Sequence, residues 1–139
     1  MFELKKIFVA IAGPVSNLVI SIIFWNVNCL PSLRIAIVYA NLLIAMFNLL
    51  PIYPLDGGRI LKGILHIKFG KWKSRRYTNE ISIMLVIILT AIASIAIYYF
   101  KNIAILAIIV YLWVIVLKEN ANYRKKLNIY KVIKTIENN

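Results

Sequence analysis

Four long apolar runs dominate the chain, at 7–27, 35–50, 81–99 and 103–117, and none holds an Asp, Glu, Lys or Arg. A straight helix needs roughly 20 apolar residues to cross a bilayer, with a range of about 17 to 25. The first and third runs meet that length outright. The second and fourth are shorter and borrow flanking residues to complete a span, with aromatic rings such as Tyr111 and Trp113 set for the interface. The pattern predicts an all-α membrane protein of about four transmembrane helices.

The basic residues test that count. Lys5 and Lys6 precede the first run, and Arg34 alone separates the first two. Seven Lys/Arg lie between the second and third, Lys101 alone between the third and fourth, and six follow the fourth. Heavy and light segments alternate, as the positive-inside rule requires if both termini are cytoplasmic. The net charge of +12 is thereby assigned to membrane topology and lipid contact, and no nucleic-acid partner is expected. The 62% hydrophobic content exceeds what a 139-residue water-soluble core could bury.

Two parts are expected: a four-span domain at 1–118 and a basic amphipathic tail at 119–139. Leu127, Tyr130 and Ile133 or Lys134 fall near one helical face, which suits the inner leaflet; a solvated tail is the alternative. The apolar run after Lys5 and Lys6 is long for a cleaved signal peptide. With one cysteine, Cys29, no intramolecular disulfide exists. Cys29 is read as inert in a short outer loop. His66 is the sole histidine, so no self-contained His/Cys metal cluster can form.

The polar positions inside the second run carry the chemistry. Asn41 and Asn48 are two helical turns apart and share a face. Amides facing lipid are unfavourable, so that face should look toward protein or a wet cavity. Pro51 and Pro54 cannot continue a helix. The chain is expected to unwind from about Leu50 into a Pro/Gly-rich loop, and non-helical backbone at membrane depth needs a protein or water cover. Asp56 then arrives, followed by Gly57, Gly58 and Arg59. Two readings stand. In one, Asp56 caps a following helix at the membrane border and Arg59 anchors at the interface. In the other, Asp56 is a carboxylate presented to a membrane-embedded site, as a metal ligand or proton carrier.

The stretch Asn48-Leu-Leu-Pro51 through Pro54-Leu-Asp56-Gly57-Gly58-Arg59 resembles the second signature of the site-two-type intramembrane metalloproteases, peptidase family M50. Upstream, Ala12-Gly13-Pro14-Val-Ser-Asn17 is similar to the helix that follows the zinc-binding helix in those proteins. The spans and basic tail look most like the sporulation branch, typified by stage IV sporulation protein FB. The resemblance covers about residues 7–66 and reaches the last two spans by hydropathy alone.

The resemblance implies a zinc cofactor held by two histidines of a His-Glu-x-x-His helix and by Asp56 as third ligand. It implies that Asn48 positions substrate or water, with Pro51, Gly57 and Asn41 supporting the site. The substrate it implies is a transmembrane or membrane-associated protein, in the sporulation branch a sigma-factor precursor.

This sequence contains no His-Glu-x-x-His. His66 is read as an interfacial side chain, so no catalytic residue is assigned in this chain. The chain is expected to be the C-terminal part of a protease core, inactive alone. A non-catalytic pseudoprotease that binds a transmembrane partner is the second reading. A small transporter subunit using Asn41, Asn48 and Asp56 is the third. An Asn-bearing face lacking its usual neighbours is expected to favour self-association into a homo-oligomer.

Overall fold

The computed structural model describes residues 2–27 and 30–137; Cys29 lies outside them. Every element among the described residues is an α-helix: α1 (Phe2–Asn26), α2 (Pro31–Asn48), α3 (Asp56–Phe69), α4 (Lys71–Phe100) and α5 (Ala104–Glu137). α1, α2, α4 and α5 are each long and apolar enough to cross a membrane. These four carry the four apolar runs. α4 begins ahead of its run, and α5 continues unbroken past residue 118 into the basic C-terminal segment.

The chain divides into two compact units, Met1–Thr78 and Asn79–Asn139. In the first, α1 packs against both α2 and α3. Its inward stripe runs Glu3, Ile7, Ala10, Pro14, Asn17 and Ser21, all buried or half-buried at three- and four-residue spacing. α2 answers with Val38, Asn41, Ala45 and Asn48. Ser21 Oγ ties the pair: it lies 3.0 Å from the Asn17 carbonyl and 3.3 Å from the Val38 carbonyl across the interface. Away from these stripes the helices show large apolar side chains. Phe8 is 71% exposed and Met46 68%. Such surface suits lipid, where it carries no hydration penalty.

α2 starts with Pro31 in its first turn, where a missing N–H costs nothing. It stops at Asn48, and the loop 49–55 curls beneath its end. Leu49 N–H still bonds the Ala45 carbonyl, Leu50 N–H bonds Phe47, and Ile52 is fully buried. The Tyr53–Pro54 peptide is cis.

The unwinding is shorter than the sequence pattern suggested. Asp56, Gly57 and Gly58 are already helical, forming the first turn of α3. Leu55 is the N-cap residue, and no side chain bonds the cap, so Asp56 is not acting as one. The physical reason is packing. Gly57, Gly58 and Gly63 are buried, and their missing side chains let α3 lie directly on the loop and on Ile7. Gly70, at φ +80°, ends α3, its N–H bonding the His66 carbonyl. Ser74 Oγ then donates to the Lys62 carbonyl at 2.6 Å and fixes the start of α4 against α3.

In the second unit, Asn79 Nδ2 bonds Asn120 Oδ1 at 3.1 Å, and Trp113 Nε1 donates to Thr90 Oγ1 at 3.0 Å. Thr90 in turn donates to its own helix at the Val86 carbonyl, 2.7 Å away. The turn between the helices uses Lys101 at φ 49° and Asn102, whose Oδ1 accepts from the Ala104 N–H at 2.9 Å. Interhelical side-chain bonds in membranes average about 0.6 kcal/mol and reach about 1.7. Thr90→Val should therefore cost stability in detergent within that range, read as a lowered thermal midpoint. An unchanged midpoint would show that the indole finds another acceptor.

Candidate functional site

Asp56 sits in the first turn of α3, where the partial positive charge of the helix end favours a carboxylate. Its side chain is 23% exposed. One wall of its setting is Gly13 of α1. A Cβ placed on Gly13 would lie 2.6 Å from Asp56 Oδ2 and 3.5 Å from its Cγ. The carboxylate thus occupies the space that any other residue at position 13 would fill. Gly13 is followed by Pro14, which is buried within the helix, and Asn17 lies one turn further on the same stripe.

On the other side, Arg59 Nη1 stands 3.9 Å from Asp56 Oδ1, one turn along α3. The arginine side chain is 55% exposed. A pair this long and this open is worth under about 1 kcal/mol. It gives Asp56 a counter-charge without fixing its position. The fixing comes from Gly13 in front and from the helix behind.

The backbone behind is set by two further glycines. A Cβ on Gly57 would overlap the Leu49 carbonyl and stand 2.5 Å from the Leu50 oxygen. One on Gly58 would meet the Ile52 oxygen at the same 2.5 Å and crowd the Tyr53 nitrogen. The end of α2 and the start of α3 therefore touch. Asn48 and Asp56, each one residue from that contact, share a corner of the unit. Asn48 and Pro51 are half-buried there. Asn41 is also half-buried, two turns up α2, and its Nδ2 donates to the Ile37 carbonyl at 2.8 Å.

His66 is not brought to this corner. It lies ten residues along α3, about 15 Å by helical rise, with Nδ1 3.2 Å from Glu3 Oε1. Among the described residues no group of three or more His, Cys, Asp or Glu could hold a metal ion. Asp56 alone does not fit a catalytic zinc, which takes about three protein ligands. The sequence pattern did not single out Gly13 or Arg59 as neighbours of the carboxylate. Gly13 stood only as part of the Ala12-to-Asn17 element of the resemblance, and Arg59 read as an anchor.

Residues 28–92 match peptidase family M50. A zinc metalloprotease of Methanocaldococcus jannaschii is 36% identical over 89 residues, covering 58% of this chain and 26% of that protein. The solved site-2 protease from Methanocaldococcus jannaschii superposes with a TM-score of 0.64 at 29% identity, over 82% of this chain and 54% of that one. The chain thus spans about a quarter of the length of the curated relative and about half of the solved one.

Proposed function

We propose that this chain, similar over its central part to the M50 peptidases, supplies the aspartate-bearing part of a zinc-dependent intramembrane protease core. The observation that carries the reading is the Asp56 carboxylate, held at a helix start against Gly13 of a membrane-length helix. The two elements that resemble the family, Ala12 to Asn17 and Asn48 to Arg59, are the two that meet there.

In this reading Asp56 is one ligand of the metal and Asn48 orients substrate or water beside it. Zinc held by Asp56 together with ligands from elsewhere would supply Lewis-acid polarisation of a scissile carbonyl and activation of water. The other ligands and the general base come from residues outside these 139. The substrate is a transmembrane or membrane-associated protein. The basic tail and span arrangement favour the sporulation branch, with a sigma-factor precursor as substrate. The alternation of basic residues favours a multi-pass cell-membrane protein with both termini cytoplasmic.

Reading the genomic DNA ahead of the Met1 codon tests this directly. An in-frame or frameshifted stretch encoding His-Glu-x-x-His is the expected result, and unrelated sequence there removes the protease reading. Metal analysis gives a second check. The purified chain alone should hold only substoichiometric zinc. Stoichiometric zinc would overturn the assignment of the missing ligands to other residues.

One observation favours a second reading, a non-catalytic protein that binds a transmembrane partner. Arg59 already places a cation beside Asp56, so the carboxylate is compensated without metal. Stable capture of a membrane protein by zinc-free chain would support it, and capture that depends on added zinc would sink it.

A further inference from the structure

A cavity of about 770 Å³ opens between the start of α1, α3 and the start of α4. Six of its lining residues are basic: Lys5, Lys6, Arg59, Lys62, Lys71 and Arg75. The one acid in the lining is Glu3. Its carboxylate is already engaged, 2.8 Å from Lys6 Nζ and 3.2 Å from His66 Nδ1. Among the described residues no carboxylate pairs with Lys5, Lys62, Lys71 or Arg75, so the cavity carries an uncompensated positive field.

Membrane topology explains how many basic residues each segment carries. It does not explain why those of three separate segments converge on one opening. That convergence is built. The Ser74–Lys62 bond pins α4 to α3, Glu3–His66 pins α3 to α1, and Lys62 Nζ lies 3.7 Å over the Tyr53 ring. The cavity also has a fixed level. Lys5 and Lys6 immediately precede the first apolar run, and Lys71 and Arg75 precede the third. Val9 and Ala10 of the membrane-length α1 form part of its wall. Charge above apolar wall is the profile of the layer where lipid phosphates meet acyl chains.

We propose that this cavity binds the phosphate headgroup of an anionic phospholipid, one lipid per chain, with the basic residues around the phosphate and the acyl chains along α1. The volume falls within the range of small-molecule sites. An acidic peptide segment could satisfy the same charges but would not need the apolar wall.

The test is native mass spectrometry of the full chain released from detergent with equal phosphatidylglycerol and phosphatidylcholine. One phosphatidylglycerol should be retained, and phosphatidylcholine should not. Each basic residue near a lipid surface contributes roughly five-fold in affinity. Lys62→Gln with Arg75→Gln should therefore weaken retention about 25-fold by the same rule, and Lys5→Gln with Lys71→Gln similarly. The charge-matched pair Arg124→Gln with Lys125→Gln, on the exposed tail, should leave it unchanged. Equal weakening by the tail pair would overturn the proposal in favour of diffuse charge. So would equal retention of phosphatidylcholine, or displacement of the lipid by inorganic phosphate or a polyglutamate peptide at matching concentration. The comparison of the two lipids in the unaltered chain needs no variant, so equal retention of both overturns the proposal even if a substitution prevents folding.

Discussion

Gly57→Ala should abolish the folded state of the first unit or leave it marginal. The added methyl meets backbone, not a side chain that can turn aside. It would overlap the Leu49 carbonyl and stand 2.5 Å from the Leu50 oxygen. Those atoms close the end of α2, and the Leu50 carbonyl accepts from the N–H of the fully buried Ile52. Moving them breaks the contact that joins α2 to α3. Overpacking where nothing can relax sits at the upper end of its range, about 3 kcal/mol or more. That is a large part of a total stability of about 5 to 15 kcal/mol. The measurement is monodispersity and thermal midpoint in detergent. Gly70→Ala is the control. Gly70, at φ 80° and ψ 172°, has nothing within 4 Å of the new methyl, so it should cost about 1 to 3 kcal/mol through backbone strain alone. If Gly57→Ala is no worse than Gly70→Ala, the loop does not pack on α3 as described.

That contact also marks where sequence reasoning ran short. The four membrane-length helices were legible because hydropathy reports the energy that decides them, the transfer of side chains into lipid. The turn after α2 was legible because Pro51 and Pro54 forbid helix continuation. α3 was hidden. Its three glycines lower intrinsic helix propensity by about 1 kcal/mol each, and only the neighbours they admit make the helix worthwhile. Those neighbours, the 49–53 backbone and Ile7, are tertiary facts. His66 illustrates the same limit. Its distance from Asp56 was readable once α3 is known to be a helix, but its pairing with Glu3 depends on how α3 lies on α1. Asp56 was singled out through the resemblance of Asn48–Arg59 to a known signature. What the sequence could not supply was the reason that Ala12-Gly13-Pro14 accompanies it.

The structure supplies that reason, and it leads to the sharpest separation of roles. Gly13→Ala should leave the fold nearly intact while disabling the site. The new methyl would come 2.6 Å from Asp56 Oδ2. Here the obstructing atom ends a side chain that is partly exposed and held by one long ion pair, so it rotates away at little cost. The stability read from the thermal midpoint should fall by no more than for a surface-type substitution, within about 0.5 kcal/mol. The carboxylate, however, is displaced by about an ångström, and a misplacement of that size costs on the order of 100-fold in rate. If Asp56 serves as the zinc ligand of the proposed function, Gly13→Ala should therefore approach Asp56→Asn in lost proteolysis and lost zinc once the remaining ligands are supplied. Gly57→Ala should fail earlier, at folding. Both glycines flank the same aspartate, yet one meets an atom that can move and the other meets backbone that cannot. Full zinc occupancy and normal cleavage in Gly13→Ala would show that Asp56 takes its working position without the support of α1. A folded Gly13→Ala protein that has lost both would identify the Gly13 position as the seat of the carboxylate.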